Sequence, residues 1–383
     1  MKKLGLYIHI PFCERKCSYC GFLSFPLMGE NIKEYVNNLC LEIKNEGKRY
    51  KEKYIVDTVF IGGGTPSLLT TDMIKQIMNT LKESFNIDEN AEISIESNPN
   101  SLSFEKLKCY KEYGINRLSM GVQSFDDKIL KKLGRVHDKS TAINAFKLAR
   151  KSGFDNINID IMFAVEDQNE KIWAETLGEV LLLEPEHISF YSLQIEEGTE
   201  YYDRYKNENL NVPSDEVMNR MYEYAVNTIK NAKYDHYEIS NCSKIGYNCR
   251  HNLKYWNMND YLALGLGASG YIDGCRYKNP DDLKIYEAMV KENWEIYRKP
   301  EFEKESLEDS MSIYCFTSLR TNKGIDFKYF KERYGKDFME VYKNKRVFIY
   351  REIENGNFIM TKDHLKLSEK GILVSNDLMC EFV

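Results

Sequence analysis

Short apolar runs rich in β-branched residues alternate with longer amphipathic segments along roughly the first 200 residues. Six of these runs have the length of β-strands: GLYIHI, VDTVFIGG, AEISIE, INRLSMGV, NINIDIMF and HISFYSLQ. The segments between them repeat their apolar positions with a helical period, and several begin near an Asn, Asp, Thr or Ser suited to cap a helix. This alternation predicts parallel strands joined by helices and closed, or partly closed, into a barrel.

The pattern changes after residue 200. A long amphipathic segment, SDEVMNRMYEYAVNTIKNA, a strand pattern, HYEISN, and the glycine-rich run YLALGLGASGYIDG are expected to complete the barrel wall. From about Glu303 the sequence predicts short helices and one hairpin, VFIYREIENGNFIMTK, with ENGN as its turn. We therefore predict an α/β fold, with a partial (β/α)6 TIM-like barrel over residues 1–300 and a smaller C-terminal helical domain with a β-wing over residues 301–383.

The composition argues against two classes of function. The 383 residues carry a net charge of −6, and lysines and arginines are interspersed with acids, so no basic surface for nucleic acid is expected. No apolar run approaches the ~20 residues that a membrane span needs. The opening MKKLGLYIHIPF lacks the small-residue cleavage site of a signal peptide and is interpreted as the first strand, which predicts a cytoplasmic protein.

Three of the ten cysteines lie within eight positions, in PFCERKCSYCGF at residues 11–22. In a cytoplasmic chain such a group favours ligand or redox chemistry over a disulfide framework. Structural zinc needs four ligands with paired spacing, and no second CxxC follows. A cubane iron–sulfur cluster has four irons, so three thiolates leave one iron open to an exchangeable ligand.

Cys13, Cys17 and Cys20 in CxxxCxxC, with Tyr19 before the last cysteine, resemble the radical S-adenosylmethionine (SAM) superfamily. The resemblance implies a 4Fe-4S cluster on these three cysteines, with the amino and carboxylate groups of SAM on the open iron. Reduction then cleaves the sulfonium of SAM to give a 5′-deoxyadenosyl radical. The glycine-rich GGGTPS after the second strand is expected to bring backbone N–H groups close to the methionine part of SAM.

Several residues near strand ends are similar, position by position, to the cofactor-binding residues of the oxygen-independent coproporphyrinogen III oxidase family. The predicted SAM-binding residues are Tyr7, Gly63, Gly64, Thr65, Glu96, Gln123, Arg135 and Asp160. In that family a carboxylate binds the ribose hydroxyls, while Gln and Arg side chains complete the pocket. Active sites of β/α barrels lie at the carboxyl ends of the strands, so we expect these side chains to converge there.

Two features separate the chain from the true oxidases of this family and place it nearer the heme chaperone branch, the HemW type. The oxidases carry a further cysteine two positions after the third ligand, where this chain has Phe22, and they have an N-terminal extension before the first strand. The segment RHNLKYW is similar to the HNxxYW signature of the chaperones. His251 is then the candidate heme ligand, with Tyr255 and Trp256 beside the porphyrin. A histidine hydrogen-bonded within a packed wall is the alternative interpretation.

The resemblance implies a protein that binds heme and delivers it to acceptor hemoproteins, with a SAM-liganded iron–sulfur cluster. Heme ligation by a histidine of ordinary pKa would weaken below about pH 6.5. The alternative is an enzyme that decarboxylates coproporphyrinogen III to protoporphyrinogen IX. Another porphyrin-related role, including heme breakdown, also stays open, because this chain reads AVEDQ where relatives read GLPGQ, and GLGASG where they read GAGAHS. These departures point to substrate or partner handling.

Overall fold

The computed structural model describes residues 1–26, 29–292 and 303–383. The predicted domain boundary between residues 300 and 301 lies outside the described residues and stays a prediction. In chain order the strands are β1 (Lys2–Ile10), β2 (Phe12–Cys13), β3 (Phe25–Pro26), β4 (Tyr54–Gly63), β5 (Ile87–Ser97), β6 (Arg117–Gln123), β7 (Ile157–Phe163), β8 (His187–Ser192), β9 (Asp235–Glu238), β10 (Asn241–Ser243), β11 (Tyr261–Leu264), β12 (Ser269–Ile272), β13 (Cys275–Lys278), β14 (Glu303–Lys304), β15 (Ile325–Asp326), β16 (Phe358–Met360) and β17 (His364–Leu367).

The described helices are α1 (Gly29–Tyr50), α2 (Thr71–Ser84), α3 (Phe104–Glu112), α4 (Asp127–Lys132), α5 (Lys139–Lys151), α6 (Glu170–Leu183), α7 (Glu200–Lys206), α8 (Asp215–Asn231), α9 (Arg250–Trp256), α10 (Leu283–Lys291), α11 (Leu307–Ser318), α12 (Phe327–Tyr334), α13 (Phe338–Val341), α14 (Arg346–Glu354), α15 (Glu369–Ile372) and α16 (Ser375–Cys380). Side chains cap many of them as the sequence suggests. For example, Thr70 accepts a hydrogen bond from the N–H of Met73, and Asn169 accepts one from the N–H of Ile172.

The six predicted strands form one parallel sheet in the predicted order. β1, β4, β5, β6, β7 and β8 are consecutive neighbours, and every one of these pairings is parallel. Their residues are buried on both faces, as strands between a barrel interior and a layer of helices must be. The predicted partial (β/α)6 barrel is therefore confirmed.

The sheet is extended at both edges. On one side β11 pairs in parallel with β1, and β12, β13 and β14 follow in antiparallel order. On the other side β10 and β9 continue from β8. The strand predicted for HYEISN is confirmed over residues 236–238 in β9, but the chain turns at Ile239 and Ser240 and continues into β10, with Glu238 accepting a hydrogen bond from the N–H of Ser240 at 3.1 Å.

The hairpin predicted over VFIYREIENGNFIMTK is wrong in its first half. Arg346–Glu354 is a helix whose buried residues Ile349 and Glu352 have helical spacing. ENGN ends this helix: Gly356 has φ +77°, and the N–H groups of Gly356 and Asn357 bond back to the carbonyls of Ile353 and Glu352. The β-wing is formed instead by β16 and β17, with β15 beside them.

The described residues form two large hydrophobic cores and a small cluster of Ile129, Leu133, Met162 and Val165. The larger core lies between the strands of the sheet and the helices around it. The smaller core is rich in aromatic side chains from the C-terminal region, such as Phe330 and Phe338, and it also contains Met258 and Tyr271. The C-terminal helices therefore pack against the α9 and β12 side of the barrel wall. Within the described residues, no helix combines the length and apolar composition needed to cross a bilayer.

Candidate functional site

The three cysteines of CxxxCxxC lie together at the carboxyl end of β1. Cys13 ends β2, and Cys17 and Cys20 lie in the loop that follows, where the N–H of Cys20 donates to the carbonyl of Cys17 at 3.2 Å. All three are free thiols of intermediate exposure. Burial raises the pKa of the Cys20 thiol, a hydrogen bond from the N–H of Phe22 opposes this, and the neighbouring Cys17 and Cys13 raise the pKa further.

This donor set fits an iron–sulfur cluster better than a single metal ion. Within the described residues, no three His, Cys, Asp or Glu side chains converge as ligands of one ion. Cluster-binding thiolates each bind a different iron and can therefore lie farther apart than the ligands of one zinc. The cysteine loop thus supplies three thiol ligands for a cluster, and it stays a prediction that Cys13, Cys17 and Cys20 bind one.

Two further predicted residues contact these thiols. Thr65 Oγ1 lies 3.6 Å from Cys13 Sγ, and Arg135 Nη1 lies 3.6 Å from Cys17 Sγ. Asn98, which the sequence analysis missed, joins the two: it donates to Thr65 Oγ1 at 3.2 Å and accepts from Arg135 Nη2 at 2.7 Å. One hydrogen-bond network thus connects the sulfurs of Cys13 and Cys17.

The glycine-rich turn packs against residues 10–12, the stem that leads from β1 into the cysteine loop. The N–H of Gly64 donates to the carbonyl of Ile10 and that of Thr65 to the carbonyl of Phe12, both at 2.8 Å. Gly63, with φ +112°, donates its N–H to Glu96 Oε2 at 3.0 Å. The N–H groups of Gly63, Gly64 and Thr65 therefore already have protein acceptors, and the approach of this turn to SAM stays a prediction. What the turn does is bring β4 into close contact with the stem.

The other side of the cysteine loop is held by α7 and the end of α4. The carbonyl of Ser18 accepts the N–H of Tyr201 at 3.0 Å, and Ser18 Oγ donates to Glu200 at 2.8 Å. Tyr201 also donates its hydroxyl to the carbonyl of Lys132, at 3.0 Å. One short helix thus connects the loop to the barrel.

The unusual AVEDQ segment strengthens this connection. Glu166 is buried and accepts two hydrogen bonds from Arg204 of α7, with Nη1 to Oε2 at 3.1 Å. Asp167 pairs with Lys132 at the end of α4. The two acids that replace a Gly-Pro turn therefore link α4 and α7, the two elements that hold Ser18.

A polar cavity of about 310 Å³ lies inside the barrel. Three predicted residues, Tyr7, Glu96 and Asp160, line it together. Gln123 does not line it, but accepts a hydrogen bond from Tyr191 at 2.9 Å. The remaining lining residues are Phe60, Arg117, Ser119, Asn158, Ser189, Asn252 and Tyr255. A concave site with convergent carboxylates and hydroxyls suits a polar organic ligand.

Arg117 is a cavity residue that the sequence analysis missed. Its side chain is only 2% exposed, and its Nε and Nη1 atoms have no hydrogen-bond partner within the described residues. A buried guanidinium of this kind requires water or a ligand acceptor. Only its position at the start of a predicted strand marked it in the sequence.

The two carboxylates of the cavity influence each other. Burial and the nearby Asp160 carboxylate raise the pKa of Glu96 to about 8, although the N–H of Gly63 and the charge of Arg117 oppose this. Burial also raises the pKa of Asp160, against hydrogen bonds from Asn158, Ser189 and Ser119. Paired carboxyls with raised pKa values are typical of functional sites.

We expect Glu96→Gln to stabilise the cluster-free protein more as the pH rises. The unfolded glutamate ionises near pH 4.3, but the folded one only near pH 8, so its contribution to stability falls through this window by up to about 1.4 kcal/mol per pH unit. Gln removes that fall. Denaturant unfolding at pH 5, 6, 7 and 8 measures the difference from wild type, and Glu89→Gln, an exposed position on the same strand, is the control. A constant difference for Glu96→Gln would contradict the raised pKa.

His251 lies on α9 with its side chain completely buried. Its Nδ1 is 2.8 Å from Thr58 Oγ1 and its Nε2 is 2.8 Å from the Tyr255 hydroxyl, while its ring stacks on Phe60 with centroids 5.4 Å apart. Burial, with the charges of Lys254 and Arg117, lowers the pKa of His251 to about 3. The expected loss of heme binding near pH 6.5 therefore needs correction, because this imidazole stays neutral well below that pH.

The neighbours of His251 do not lie on one surface. Tyr255 lines the barrel cavity. Trp256 lies instead beneath Arg320, with the guanidinium carbon 4.6 Å from the ring centroid. In this conformation the two aromatic residues of RHNLKYW do not face a common ligand.

The parallel barrel and the three-cysteine loop at its carboxyl end together define a radical SAM protein. The family model of the Radical SAM superfamily matches residues 7–180, and that of the HemN C-terminal domain matches residues 306–374. The cofactors that this superfamily implies are a 4Fe-4S cluster and SAM.

Curated relatives are more specific. The heme chaperone HemW of Bacillus subtilis is 35% identical over 98% of this chain and 98% of its own length. That of Lactococcus lactis is 30% identical over 100% and 98%. The chain belongs to the family of these heme chaperones. The solved structure of coproporphyrinogen III oxidase (HemN) from Escherichia coli superposes with a TM-score of 0.87 over 100% of this chain and 90% of that one, at 22% identity, which confirms the fold.

Proposed function

We propose that the protein binds heme and passes it to acceptor hemoproteins in the cytoplasm. The observation that carries this proposal is the 35% identity to the Bacillus subtilis heme chaperone HemW over nearly the whole of both chains. A likeness of this length covers the barrel, the RHNLKYW helix and the C-terminal helices together. The function of the family is therefore the best-supported function for this chain.

The cofactor site is assigned to the carboxyl end of the barrel. Cys13, Cys17 and Cys20 hold the 4Fe-4S cluster, and Thr65 and Arg135 donate to the sulfurs of Cys13 and Cys17. Tyr7, Glu96 and Asp160 face the cavity where the nucleoside part of SAM binds, and Gly63 donates its N–H to Glu96. Gly64 and Gln123 are also proposed to contact SAM, by resemblance to the family. When bound, SAM and the cluster supply one-electron chemistry.

An oxidase is the weaker alternative. The likeness to HemN, at 22% identity, concerns the fold alone. At position 22, where the oxidases have a further cysteine, the Phe22 side chain is 68% exposed and supplies no thiol beside the cluster loop. Turnover of coproporphyrinogen III is therefore not expected.

His251 is the proposed heme ligand, provided that the Tyr255 hydroxyl releases its Nε2 atom. Both of its ring nitrogens are engaged, so coordination of iron requires Tyr255 to release Nε2. A neutral imidazole is the form that binds iron, and the low pKa of His251 keeps it in that form. Ligation would thus depend on a local rearrangement of α9 and would not depend on pH near neutrality.

We expect anaerobically reconstituted protein to bind hemin at one site per chain and to leave coproporphyrinogen III unconsumed. His251→Gln should shift or abolish the Soret band of the bound hemin, because it removes the imidazole but keeps a side chain that can bond to Thr58. Absorption titrations with hemin, and product analysis after incubation with coproporphyrinogen III, measure the two outcomes.

His187→Gln is the matched control. His187 is equally buried and its two nitrogens are also engaged, by Asn158 at 2.6 Å and Tyr237 at 2.7 Å, but it lies outside RHNLKYW. Its variant should keep the wild-type spectrum. An unchanged spectrum in His251→Gln would remove the ligand assignment, and absence of hemin binding, or sustained porphyrinogen turnover, would overturn the proposed function.

A further inference from the structure

A groove of about 770 Å³ lies on the side of α9 opposite the barrel cavity. Arg250, Leu253 and Lys254 of RHNLKYW line it, whereas His251 and Tyr255 of the same helix point toward the barrel. Residues at i, i+3 and i+4 share one helix face, so the motif presents two faces to two different spaces. The far wall is formed by Tyr329 and Arg333 of α12.

The groove is locally positive, although the chain is acidic overall. Its lining contains five cations and three carboxylates, an excess of two positive charges in a protein of net charge −6. The cations are Lys2, Lys3, Arg250, Lys254 and Arg333, and the carboxylates are Asp57, Asp260 and Asp273. Such a local excess attracts a ligand that carries two negative charges.

Two of the three carboxylates are paired with some of these cations, whereas Asp260 accepts hydrogen bonds from the Tyr54 hydroxyl at 3.2 Å and from the N–H of Asp273 at 3.0 Å. Asp57 pairs with Lys254 at 2.6 Å and with Arg250 at 3.8 Å, and Asp273 pairs with Lys2 at 3.2 Å. Lys3 and Arg333 are the two lining cations without a carboxylate partner within the described residues. A ligand carboxylate can therefore approach these two side chains without displacing an ion pair.

Arg333 is held in place by neutral groups. Its Nη1 donates to the carbonyl of Met258 at 2.9 Å and to the Tyr329 hydroxyl at 3.0 Å, and its Nη2 donates to the Tyr271 hydroxyl at 3.1 Å. A guanidinium positioned in this way keeps its full charge and is preorganised to bind an added carboxylate. Lys3, at the start of β1, is exposed and free to adjust to a ligand.

Size favours the groove over the barrel cavity for a porphyrin. Sites for drug-sized ligands span about 300–1,000 Å³, which puts the 310 Å³ cavity at the lower limit and the groove well inside the range. Heme carries two propionates on one edge, which matches the excess of two charges. The phenol ring of Tyr329 and the side chain of Leu253 add apolar surface to the lining.

Building on the heme binding proposed above, we propose that this groove binds the propionate edge of heme, with Arg333 and Lys3 as the carboxylate partners. His251 lies on the opposite face of α9, so iron ligation by His251 would require this helix to turn. Binding of the heme propionates by Arg333 and Lys3 does not require that movement and is tested separately from it.

The test compares hemin with hemin dimethyl ester, which keeps the iron and the ring but lacks both carboxylates. We expect wild-type protein to bind the diester at least about tenfold more weakly than hemin, because charged hydrogen bonds are lost. The double variant Lys3→Gln/Arg333→Gln should bind hemin about tenfold more weakly and no longer distinguish the two ligands. Hemin affinity should also fall with added salt in wild type, since the groove is open to solvent.

Lys331→Gln is the control, because Lys331 is an exposed cation on the same helix that does not line the groove. If Arg333→Gln disturbs folding, the single variant Lys3→Gln and the diester comparison on wild type still decide the question. Equal binding of hemin and diester by wild type, or wild-type affinity in the variants, would overturn the groove assignment while leaving heme binding intact. If wild type binds no hemin, the proposed function fails and this inference fails with it.

Discussion

Replacing any one of Cys13, Cys17 or Cys20 by alanine is expected to reduce the iron content from about four per reconstituted chain to near zero. Each thiolate would bind a different iron, so each substitution removes the protein ligand of one iron. Two remaining thiolates cannot hold a cubane that already has one open iron. Iron analysis and the charge-transfer absorbance of the cluster measure the loss.

Cys380→Ala and Cys242→Ala are the controls. Cys380 is an exposed thiol near the C-terminus, and Cys242 is a buried thiol in β10, so together they represent both environments outside the loop. Both variants should retain their iron. Full retention in the three loop variants, or loss in a control, would mean that the cluster is bound elsewhere.

The parallel sheet was predictable because its strands are buried on both faces. Such strands appear as continuous β-branched runs, like NINIDIMF, that differ clearly from the amphipathic helices between them. The antiparallel edges carry weaker signals. In HYEISN, Glu238 accepts hydrogen bonds at the turn from the N–H of Ser240 and from the side chain of Asn241, and no periodicity records these contacts.

The error at residues 346–354 has a local cause. Asn-Gly is typical of a hairpin turn, but glycine with positive φ also ends helices, and only the preceding periodicity separates the two. Ile349 and Glu352 are buried at helical spacing, whereas Val347 and Tyr350 are exposed. The apolar residues of VFIY therefore make the segment resemble a strand, although its buried residues have helical spacing and include Glu352.

The candidate site was predictable where residues lie on strands, and less so where contacts depend on register. Tyr7, Glu96 and Asp160 lie on β1, β5 and β7, which are alternate strands of the parallel sheet, and their side chains share one cavity. Asn98 and Arg117 also lie at the site. In the sequence, however, Asn98 looks like an ordinary loop residue and Arg117 like the first residue of a strand. Their roles follow only from the three-dimensional neighbours that the strand register gives them.

The sequence also does not show whether a given face of a helix lines the barrel cavity or the groove on the other side. RHNLKYW suggested one surface, but α9 separates the barrel cavity from the groove, with His251 on one side and Arg250 on the other. Likewise, the pairing of Glu166 with Arg204 joins residues 38 positions apart. Because of such contacts, AVEDQ connects α4 to α7 and is more than a loop whose sequence differs from that of its relatives.

Gly64→Ala is expected to remove most of the cluster, although all three cysteines remain. A Cβ at position 64 would lie 2.6 Å from the carbonyl oxygen and 2.9 Å from the nitrogen of Phe12, and 3.0 Å from the carbonyl oxygen of Ile10. These contacts are with backbone atoms, so relief requires β1 and the stem of the cysteine loop to move away from β4. That movement breaks the hydrogen bonds from Gly64 and Thr65 that position Cys13, and iron analysis after reconstitution measures the result.

Gly178→Ala is the matched control for this effect. Gly178 lies on the exposed side of α6, and a Cβ there would meet nothing within 4 Å. Alanine in a helix interior is favoured over glycine by about 1 kcal/mol, so this variant should keep its iron and unfold at a slightly higher temperature. If Gly64→Ala binds as much iron as Gly178→Ala, close contact of the two backbones is not what positions the cysteine loop. If iron is lost in Gly64→Ala while its circular dichroism stays that of a folded barrel, the effect lies in the stem and not in global unfolding.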